Sequence, residues 1–215
     1  MKLKICGMKH PANIKAVGNL NPDYLGFIMY EKSPRFFEGI IPELPDSIRK
    51  VGVFVNADID SLLKSVKYYR FNAIQLHGNE SPEYLAKLDA LLLEEFGNGV
   101  CKPELIKVFS VIDRIEAKTI SRYEQYSDFF LFDTKGLLPG GNGFTFNWSA
   151  LDEYPSETPF FLSGGIGQQE IGQILEFLSS PAAAYCHAID VNSRFESEPG
   201  MKIPEKLKLF KSLLP

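Results

Sequence analysis

Short apolar runs alternate with longer amphipathic stretches from one end of the chain to the other, and this alternation constrains the fold more than any other feature. Eight of the apolar runs have the length and composition of buried strands, at residues 3–6, 24–29, 51–55, 73–76, 105–109, 129–132, 160–162 and 186–191. The stretches between them predict helices, for example at residues 58–69, 81–95, 168–178 and 204–213. The connection at residues 33–48 is Pro-rich and only weakly helical.

Strict alternation of strands and helices predicts a parallel sheet, and eight such units match a single (β/α)8 TIM barrel over residues 1–215. A doubly wound open sheet is the alternative architecture. That fold usually needs only about five or six strands, and a dinucleotide-binding member would carry GxGxxG after its first strand. Here Cys6, Gly7, Met8 and Lys9 follow the first strand, so the barrel is favoured.

The composition limits the binding partners and the cellular compartment that we expect for this chain. With a formal net charge of −4 the chain has no broad basic field, so we expect no nucleic-acid partner. The three cysteines, Cys6, Cys101 and Cys186, are an odd number without CxxC spacing, which argues against a disulfide framework and favours a reducing cytoplasm. Since no apolar run reaches the roughly 18 residues of a membrane span, we expect neither membrane insertion nor secretion.

Two chemically active groups stand at predicted strand ends. The apolar run at residues 128–133 ends in the carboxylate of Asp133, with a Gly-rich stretch beyond it, and the first strand ends in the thiol of Cys6. Because α/β proteins keep their chemistry at the carboxyl ends of parallel strands, these groups form a candidate acid/base pair. Other polar side chains that should converge on the same mouth are Arg35, Asn56, His77, Ser163 and Asp190.

Each of these residues also has a purely structural interpretation. Cys6 taken alone fits a buried core thiol, since free cysteine is among the most buried residue types. Asp133 could form a turn or cap a helix, and Arg35 could be a solvated loop cation. His77 fits a hydrogen-bonded supporting residue. With Cys6 it could suggest a metal site, but no third or fourth ligand clusters with them, so no metal is expected.

The Gly-rich segment at residues 161–167, followed by a predicted helix, is typical of a phosphate site after the seventh strand of a barrel. Backbone N–H groups and a helix N-terminus suit an anion. The same residues fit an ordinary tight turn between a strand and a helix. The segment at residues 188–194 favours the phosphate interpretation, because Ser193 stands where the second half of such a site belongs.

Several motifs follow one another in a fixed order along essentially the whole chain. They are KICGM at 4–8, GFI at 26–28 with SPR at 33–35, VGVFVN at 51–56, QLHG at 75–78, Asp133 with GGNGFTFNW at 140–148, and SGG at 163–165. In this combination the chain resembles the phosphoribosylanthranilate isomerase family. The resemblance implies a barrel enzyme of tryptophan biosynthesis without cofactor or metal, which converts N-(5-phosphoribosyl)anthranilate into 1-(2-carboxyphenylamino)-1-deoxyribulose 5-phosphate.

The resemblance also implies residue roles. Asp133 would be the acid that opens the ribose ring, Cys6 the base that takes the C2′ proton, and Arg35 the clamp for the anthranilate carboxylate. This chemistry favours an Asp133 pKa above the ordinary value of about 3.9 and a Cys6 pKa below about 8.5. The other residues expected to contact the substrate are His77, Gly141, Gly143, Ser163, Gly164, Gly165, Asp190, Ser193 and Arg194.

One position departs from the family pattern. After the eighth strand the family usually shows Asp-Val-Ser-Ser-Gly-Val-Glu, whereas this chain carries Arg194 in place of the glycine. The change loses backbone freedom and could add a charged contact to phosphate.

Other functional classes remain open. The related histidine-pathway isomerase would be expected to have Asp in place of Cys6, and the indole-forming synthase would need a catalytic Lys at a strand end; neither is seen. A barrel that binds a phosphate without catalysis would satisfy the binding loops equally well. The expected partner is a small phosphorylated substrate, and the chain is expected to be a monomer or a homodimer.

Overall fold

A computed structural model describes residues 1–97, 102–111, 115–134 and 148–215. In these ranges β1 to β8 close into a parallel barrel in chain order, and β9 and β10 form a separate antiparallel pair. The strands are β1 (Lys2–Ile5), β2 (Tyr24–Ile28), β3 (Arg49–Phe54), β4 (Ala73–Leu76), β5 (Glu104–Val111), β6 (Phe129–Thr134), β7 (Phe160–Leu162), β8 (Cys186–Val191), β9 (Glu196–Glu198) and β10 (Met201–Lys202). The helices are α1 (Pro11–Gly18), α2 (Ile59–Tyr69), α3 (Pro82–Phe96), α4 (Ala117–Ile120), α5 (Ile171–Phe177) and α6 (Pro204–Leu213).

The sheet closes where β1 pairs with β8, in parallel register from Lys2 opposite Ala188 to Ile5 opposite Val191. This closure confirms the (β/α)8 barrel and excludes the open-sheet alternative. All eight predicted strands form, each within a few residues of its predicted limits.

The strands are buried on both faces, which explains their nearly continuous apolar runs. One face fills the barrel interior with residues such as Val53, Ile106, Leu131 and Phe161. The other face packs beneath the helices. Two helices begin at predicted capping residues: Asp58 Oδ1 accepts from the N–H of Ser61 at 3.0 Å, and Ser81 Oγ accepts from that of Tyr84 at 3.3 Å.

Three connections differ from the sequence-based expectations. The predicted helix at 168–178 begins as a 3-10 turn, Gln168–Glu170, and only Ile171–Phe177 is α-helical. The Pro-rich connection at 33–48 contains no helix, although Phe36 forms a parallel bridge with Ile28. The β9–β10 hairpin was not predicted, because strands of three and two residues carry no readable periodicity. It brings Glu196 and Lys202 towards the barrel mouth.

Among the helices in the described ranges, none combines the length and the apolar character that a membrane span requires.

Candidate active site

A pocket lies at the carboxyl ends of the barrel strands. Eight predicted site residues line it: Cys6, His77, Asp133, Ser163, Gly164, Gly165, Asp190 and Ser193. Arg35 and Arg194 stand beside the pocket. Gly141 and Gly143 lie outside the described residues.

Cys6 follows the last residue of β1, and its N–H donates to the carbonyl of Val191 at 2.9 Å. Its side chain lines the pocket although the residue is only 5% exposed. Space for the thiol comes from Gly26, where an added Cβ would lie 2.8 Å from Sγ. Gly7, at φ +75°, turns the chain in a conformation that favours glycine. The local sequence therefore fixes the thiol at the pocket wall.

A buried ion pair lies one layer below Cys6. Lys4 Nζ donates to Asp190 Oδ1 at 2.8 Å, across the register pairing that closes the barrel. Lys4 is completely buried. The second oxygen of Asp190, Oδ2, accepts from Ser163 Oγ at 3.0 Å. Asp190 thus joins the strand that carries Cys6 to the loop after β7, and both of its oxygens are occupied.

Burial raises the pKa of the Cys6 thiol, and this direction is opposite to the expected one. The ammonium group of Lys4 opposes the rise, Asp190 adds to it, and the more distant ammonium group of Lys202 again opposes it. The expected cations are therefore present, but the cost of an anion in this interior outweighs them. The protein environment therefore favours the protonated form of the thiol.

Asp133 stands near the end of β6 and faces His77, which follows β4. His77 Nε2 lies 3.4 Å from Asp133 Oδ2. The other ring nitrogen, Nδ1, is 3.1 Å from the side-chain Nε2 of Gln75. These three residues form a chain of polar contacts from the barrel interior to the carboxylate.

Arg35 does not line the pocket, because its guanidinium group binds Glu196. Nε and Nη2 donate to both carboxylate oxygens of Glu196 at 2.8 to 3.1 Å. Glu196 Oε1 also accepts from Lys202 Nζ at 2.7 Å. Burial alone would raise the pKa of Glu196, but Arg35 and Lys202 hold it below its ordinary value. The guanidinium group that was predicted to bind a substrate carboxylate therefore already binds the carboxylate of Glu196.

The two loops predicted to bind phosphate meet at the pocket. Gly164 and Gly165 adopt φ values of +94° and +66°, and Ser193 lies opposite them in the loop after β8. Arg194 Nε donates to the carbonyl of Gly165 at 3.4 Å, so this unusual arginine spans the two loops. The N–H of Gly167 donates to the Glu170 carboxylate at 2.8 Å. Gly164, Gly165 and Ser193 line the pocket.

Five residues around the site were missed from the sequence: Lys4, Gln75, Asn192, Glu196 and Lys202. Two of them could have been recognised from the sequence. Lys4 and Gln75 are polar residues inside apolar strands, and each stands two positions before a site residue and therefore on the same strand face. Glu196 and Lys202 had no local signal, because their positions depend on the short β9–β10 hairpin.

Within the described ranges, no three His, Cys, Asp or Glu side chains are placed to hold a metal ion. The fold and the pocket define a (β/α)8-barrel protein in which a thiol and a carboxylate from non-adjacent strands face one cavity. This arrangement is typical of barrel enzymes, whose chemistry lies at the carboxyl ends of the strands.

Comparison with known proteins identifies the family. The family model described as N-(5'phosphoribosyl)anthranilate (PRA) isomerase matches residues 3–212. The N-(5'-phosphoribosyl)anthranilate isomerase of Parabacteroides distasonis is 42% identical over 98% of this chain and 91% of that protein. The chain therefore belongs to the phosphoribosylanthranilate isomerase family, which confirms the resemblance in its motifs and makes it an isomerase.

Solved structures agree with this assignment. The phosphoribosyl anthranilate isomerase from Thermotoga maritima is 28% identical, with a TM-score of 0.78 over 99% of this chain and 98% of that one. A second isomerase structure is 26% identical, with a TM-score of 0.73 over 98% of this chain and 96% of that one. That protein is in complex with reduced 1-(o-carboxyphenylamino)-1-deoxyribulose 5-phosphate.

Proposed function

We propose that this isomerase converts N-(5'-phosphoribosyl)anthranilate into 1-(2-carboxyphenylamino)-1-deoxyribulose 5-phosphate in tryptophan biosynthesis, with Asp133 as general acid and Cys6 as general base. The observation that carries the proposal is the shared pocket of these two groups in a member of this family. The two residues belong to β6 and to the end of β1, which are not neighbours in the barrel, so they face a bound sugar from different sides.

The reaction is an Amadori rearrangement, and it needs both groups in turn. Asp133 gives its proton to the ribose ring oxygen while the bond from that oxygen to C1′ breaks, which leaves a Schiff base to the anthranilate nitrogen. The Cys6 thiolate then takes the C2′ proton. The electrons of that C–H bond form the C1′–C2′ double bond of an enolamine, while the C=N electron pair returns to the anthranilate nitrogen. The enolamine tautomerises to the ketone. Each group is expected to contribute about 10²- to 10⁴-fold in rate.

The raised pKa of Cys6 has a consequence for this mechanism. A raised pKa lowers the fraction of thiolate, but a thiolate of high pKa is a strong base for a carbon acid. Lys4 is the cation next to Cys6 on the same strand face, and Lys202 is the second cation that favours the anion. We assign to both the stabilisation of the thiolate during proton abstraction.

The two ends of the substrate would be held apart from the reacting carbons. Gly164, Gly165 and Ser193 offer backbone amides to the phosphate, and Arg194 adds a positive charge between their loops. Arg35 would hold the anthranilate carboxylate while Glu196 keeps its guanidinium group in place. Fixing both ends places the sugar between acid and base, which lowers the entropic part of the barrier. Gly141 and Gly143 remain predicted substrate contacts.

The domain organisation, compartment, oligomeric state and partners are proposed from the sequence alone. We propose one catalytic domain over residues 1–215, acting in a reducing cytoplasm as a monomer or a homodimer. Its partner is a small phosphorylated substrate. With a net charge of −4 we propose no nucleic-acid partner.

Steady-state turnover tests the proposal directly. Purified protein is mixed with N-(5'-phosphoribosyl)anthranilate, and the loss of anthranilate fluorescence is followed. We expect turnover at a rate proportional to enzyme concentration, and loss of this turnover in the Cys6 and Asp133 variants described below. Tight binding of the reduced product analogue without turnover would instead identify a barrel that binds a phosphate without catalysis.

A further inference from the structure

Gln75 is an unusual residue for the place it occupies. It lies in the middle of β4, paired in register with Val53 and Ile106, which belong to the apolar cluster inside the barrel. It is only 1% exposed. Its Oε1 has no hydrogen-bond partner among the residues that the structure describes. A buried amide with one end unpaired destabilises a fold, so a role outside packing is expected.

The other end of the Gln75 amide makes one specific contact. Nε2 lies 3.1 Å from His77 Nδ1, and the two residues alternate along the strand so that their side chains share a face. With the amide oriented as it is in the structure, its NH2 group is the donor and His77 Nδ1 is the acceptor. In a neutral imidazole the proton is then on Nε2.

The backbone around His77 is held by several contacts. Its backbone N–H donates to the carbonyl of Phe54 at 2.8 Å. The next residue, Gly78, is held by the buried pair of Glu80 and Lys107: Glu80 accepts from the N–H of Gly78, and Lys107 Nζ donates to its carbonyl at 2.8 Å. These contacts fix the backbone, and the ring places Nδ1 near Gln75 and Nε2 near Asp133.

The Nε2–H group of His77 faces Asp133 Oδ2 at 3.4 Å. Catalytic contacts often shorten when substrate binds. A protonated carboxyl group accepts most strongly at its carbonyl oxygen, so a hydrogen bond from His77 to Oδ2 favours the acidic proton on Oδ1. As Oδ1 loses this proton, the hydrogen bond from Nε2–H strengthens, since its acceptor becomes charged.

We propose that Gln75 is a positioning residue that holds His77 in the Nε2–H tautomer, so that His77 binds Oδ2 of Asp133 and the proton to be donated stays on Oδ1. The inference rests on the proposed role of Asp133 as general acid. Gln75 acts through His77 and does not touch the reacting atoms.

The tautomer can be measured without an activity assay. The protein has three histidines, so a long-range ¹H–¹⁵N spectrum of imidazole-labelled protein resolves them, and the His77→Gln variant identifies the His77 signals. In wild-type protein we expect a proton on Nε2 and none on Nδ1. In Gln75→Met, which nearly keeps the volume but cannot donate, we expect a mixture of both tautomers. A wild-type proton on Nδ1, or an unchanged tautomer in Gln75→Met, would overturn the proposal.

Kinetics on two backgrounds separate positioning from packing. In the wild-type background Gln75→Met should lower kcat by about 3- to 10-fold and leave KM within about twofold, as expected for one hydrogen bond. The side-chain NH2 of glutamine can imitate Nε2–H without a tautomer. On the His77→Gln background Gln75→Met should therefore change kcat by less than about twofold. Equal losses on both backgrounds would assign Gln75 to packing and end the proposal.

A wrong assignment of the reaction and a wrong role of Gln75 would give different results. If folded protein does not turn over the substrate while His77 shows the expected tautomers, the assigned reaction is wrong and the link between Gln75 and His77 stands. Turnover together with the opposite tautomer contradicts only the role of Gln75.

Discussion

Lys4 Nζ lies 2.8 Å from Asp190 Oδ1 inside the barrel, and the Lys4 side chain shares a strand face with Cys6. Burial lowers the pKa of Lys4, but Asp190 and Cys6 more than offset this effect, so the pKa is raised and the ammonium group stays charged. Asp190 has the opposite influence on the thiol, since it raises the pKa of Cys6. The two charges of this ion pair therefore shift the pKa of Cys6 in opposite directions.

Replacing Lys4 by Met should raise the pKa of Cys6 further, because the cation is removed and the Asp190 charge remains. The rate at which iodoacetamide modifies Cys6 follows the thiolate fraction. We expect the midpoint of its pH dependence, measured by mass spectrometry of the Cys6 peptide, to move to higher pH. Turnover at neutral pH should fall, because less of the thiolate is then present.

Lys107→Met is the matched control for Lys4→Met. Lys107 is also a buried lysine of the barrel, and its partner Glu80 lies at 2.7 Å. Removing one partner of either pair should destabilise the fold by about 3 to 5 kcal/mol. Only Lys4→Met should change the alkylation profile of Cys6. A similar shift in both variants would mean that loosened packing, and not the charge of Lys4, controls the thiol.

Cys6→Ser should leave the fold almost unchanged and lower kcat by at least about 10²-fold, because a hydroxyl group is far harder to ionise than a thiol. Fluorescence turnover and urea unfolding measure the two effects. Cys186→Ser is the control, since Cys186 starts β8 at the other end of the barrel and burial raises its pKa to about 12. Retained activity in folded Cys6→Ser protein would leave Cys6 as a core thiol.

Asp133→Asn should keep binding of the reduced product analogue and lose at least about 10²-fold in kcat, because an amide cannot deliver the proton that opens the ring. Calorimetric titration measures binding, and the fluorescence assay measures turnover. Near-normal kcat in a folded variant would remove Asp133 from the mechanism.

Arg35→Lys should raise KM by at least about fivefold with a smaller effect on kcat, because a lysine cannot hold Glu196 and a substrate carboxylate with one planar fork. Arg49→Lys is the control: Arg49 pairs with Glu104 at 2.8 Å at the start of β3, far from the pocket. An unchanged KM in Arg35→Lys would mean that the carboxylate is held elsewhere.

Most of the barrel could be predicted from the sequence for a physical reason. Parallel strands covered on both faces must be apolar throughout, and the runs that became β6 and β8 stand out from their amphipathic neighbours. The β9–β10 hairpin could not be predicted in this way, because its three- and two-residue strands are partly exposed and polar. Its position depends on tertiary contacts of Glu196 and Lys202.

The candidate site could be predicted only in part. The positions of Cys6, His77 and Asp133 follow from strand ends, which the sequence marks by a polar residue after an apolar run. The direction of the Cys6 pKa did not follow, because it depends on how far burial outweighs Lys4. The partner of Arg35 did not follow either, since Glu196 is distant in sequence and is brought near by the fold.

His187, at the other end of the barrel from the pocket, should make stability depend on pH in a defined window. Burial, with Lys2 and Arg49, lowers its pKa to about 4, and its Nε2 lies 2.8 Å from the Tyr24 hydroxyl. The folded state therefore binds fewer protons than the unfolded state between about pH 4 and 6.5. The stability from neutral His187 is present above pH 6.5 and lost as pH falls towards 4. Between pH 7 and pH 4.5 the free energy of urea unfolding should fall by about 1 kcal/mol less in His187→Gln than in wild type, a figure reduced because the ring is only partly buried. His10→Gln, at the start of α1, is the control; the same reduction there would contradict the assignment to His187.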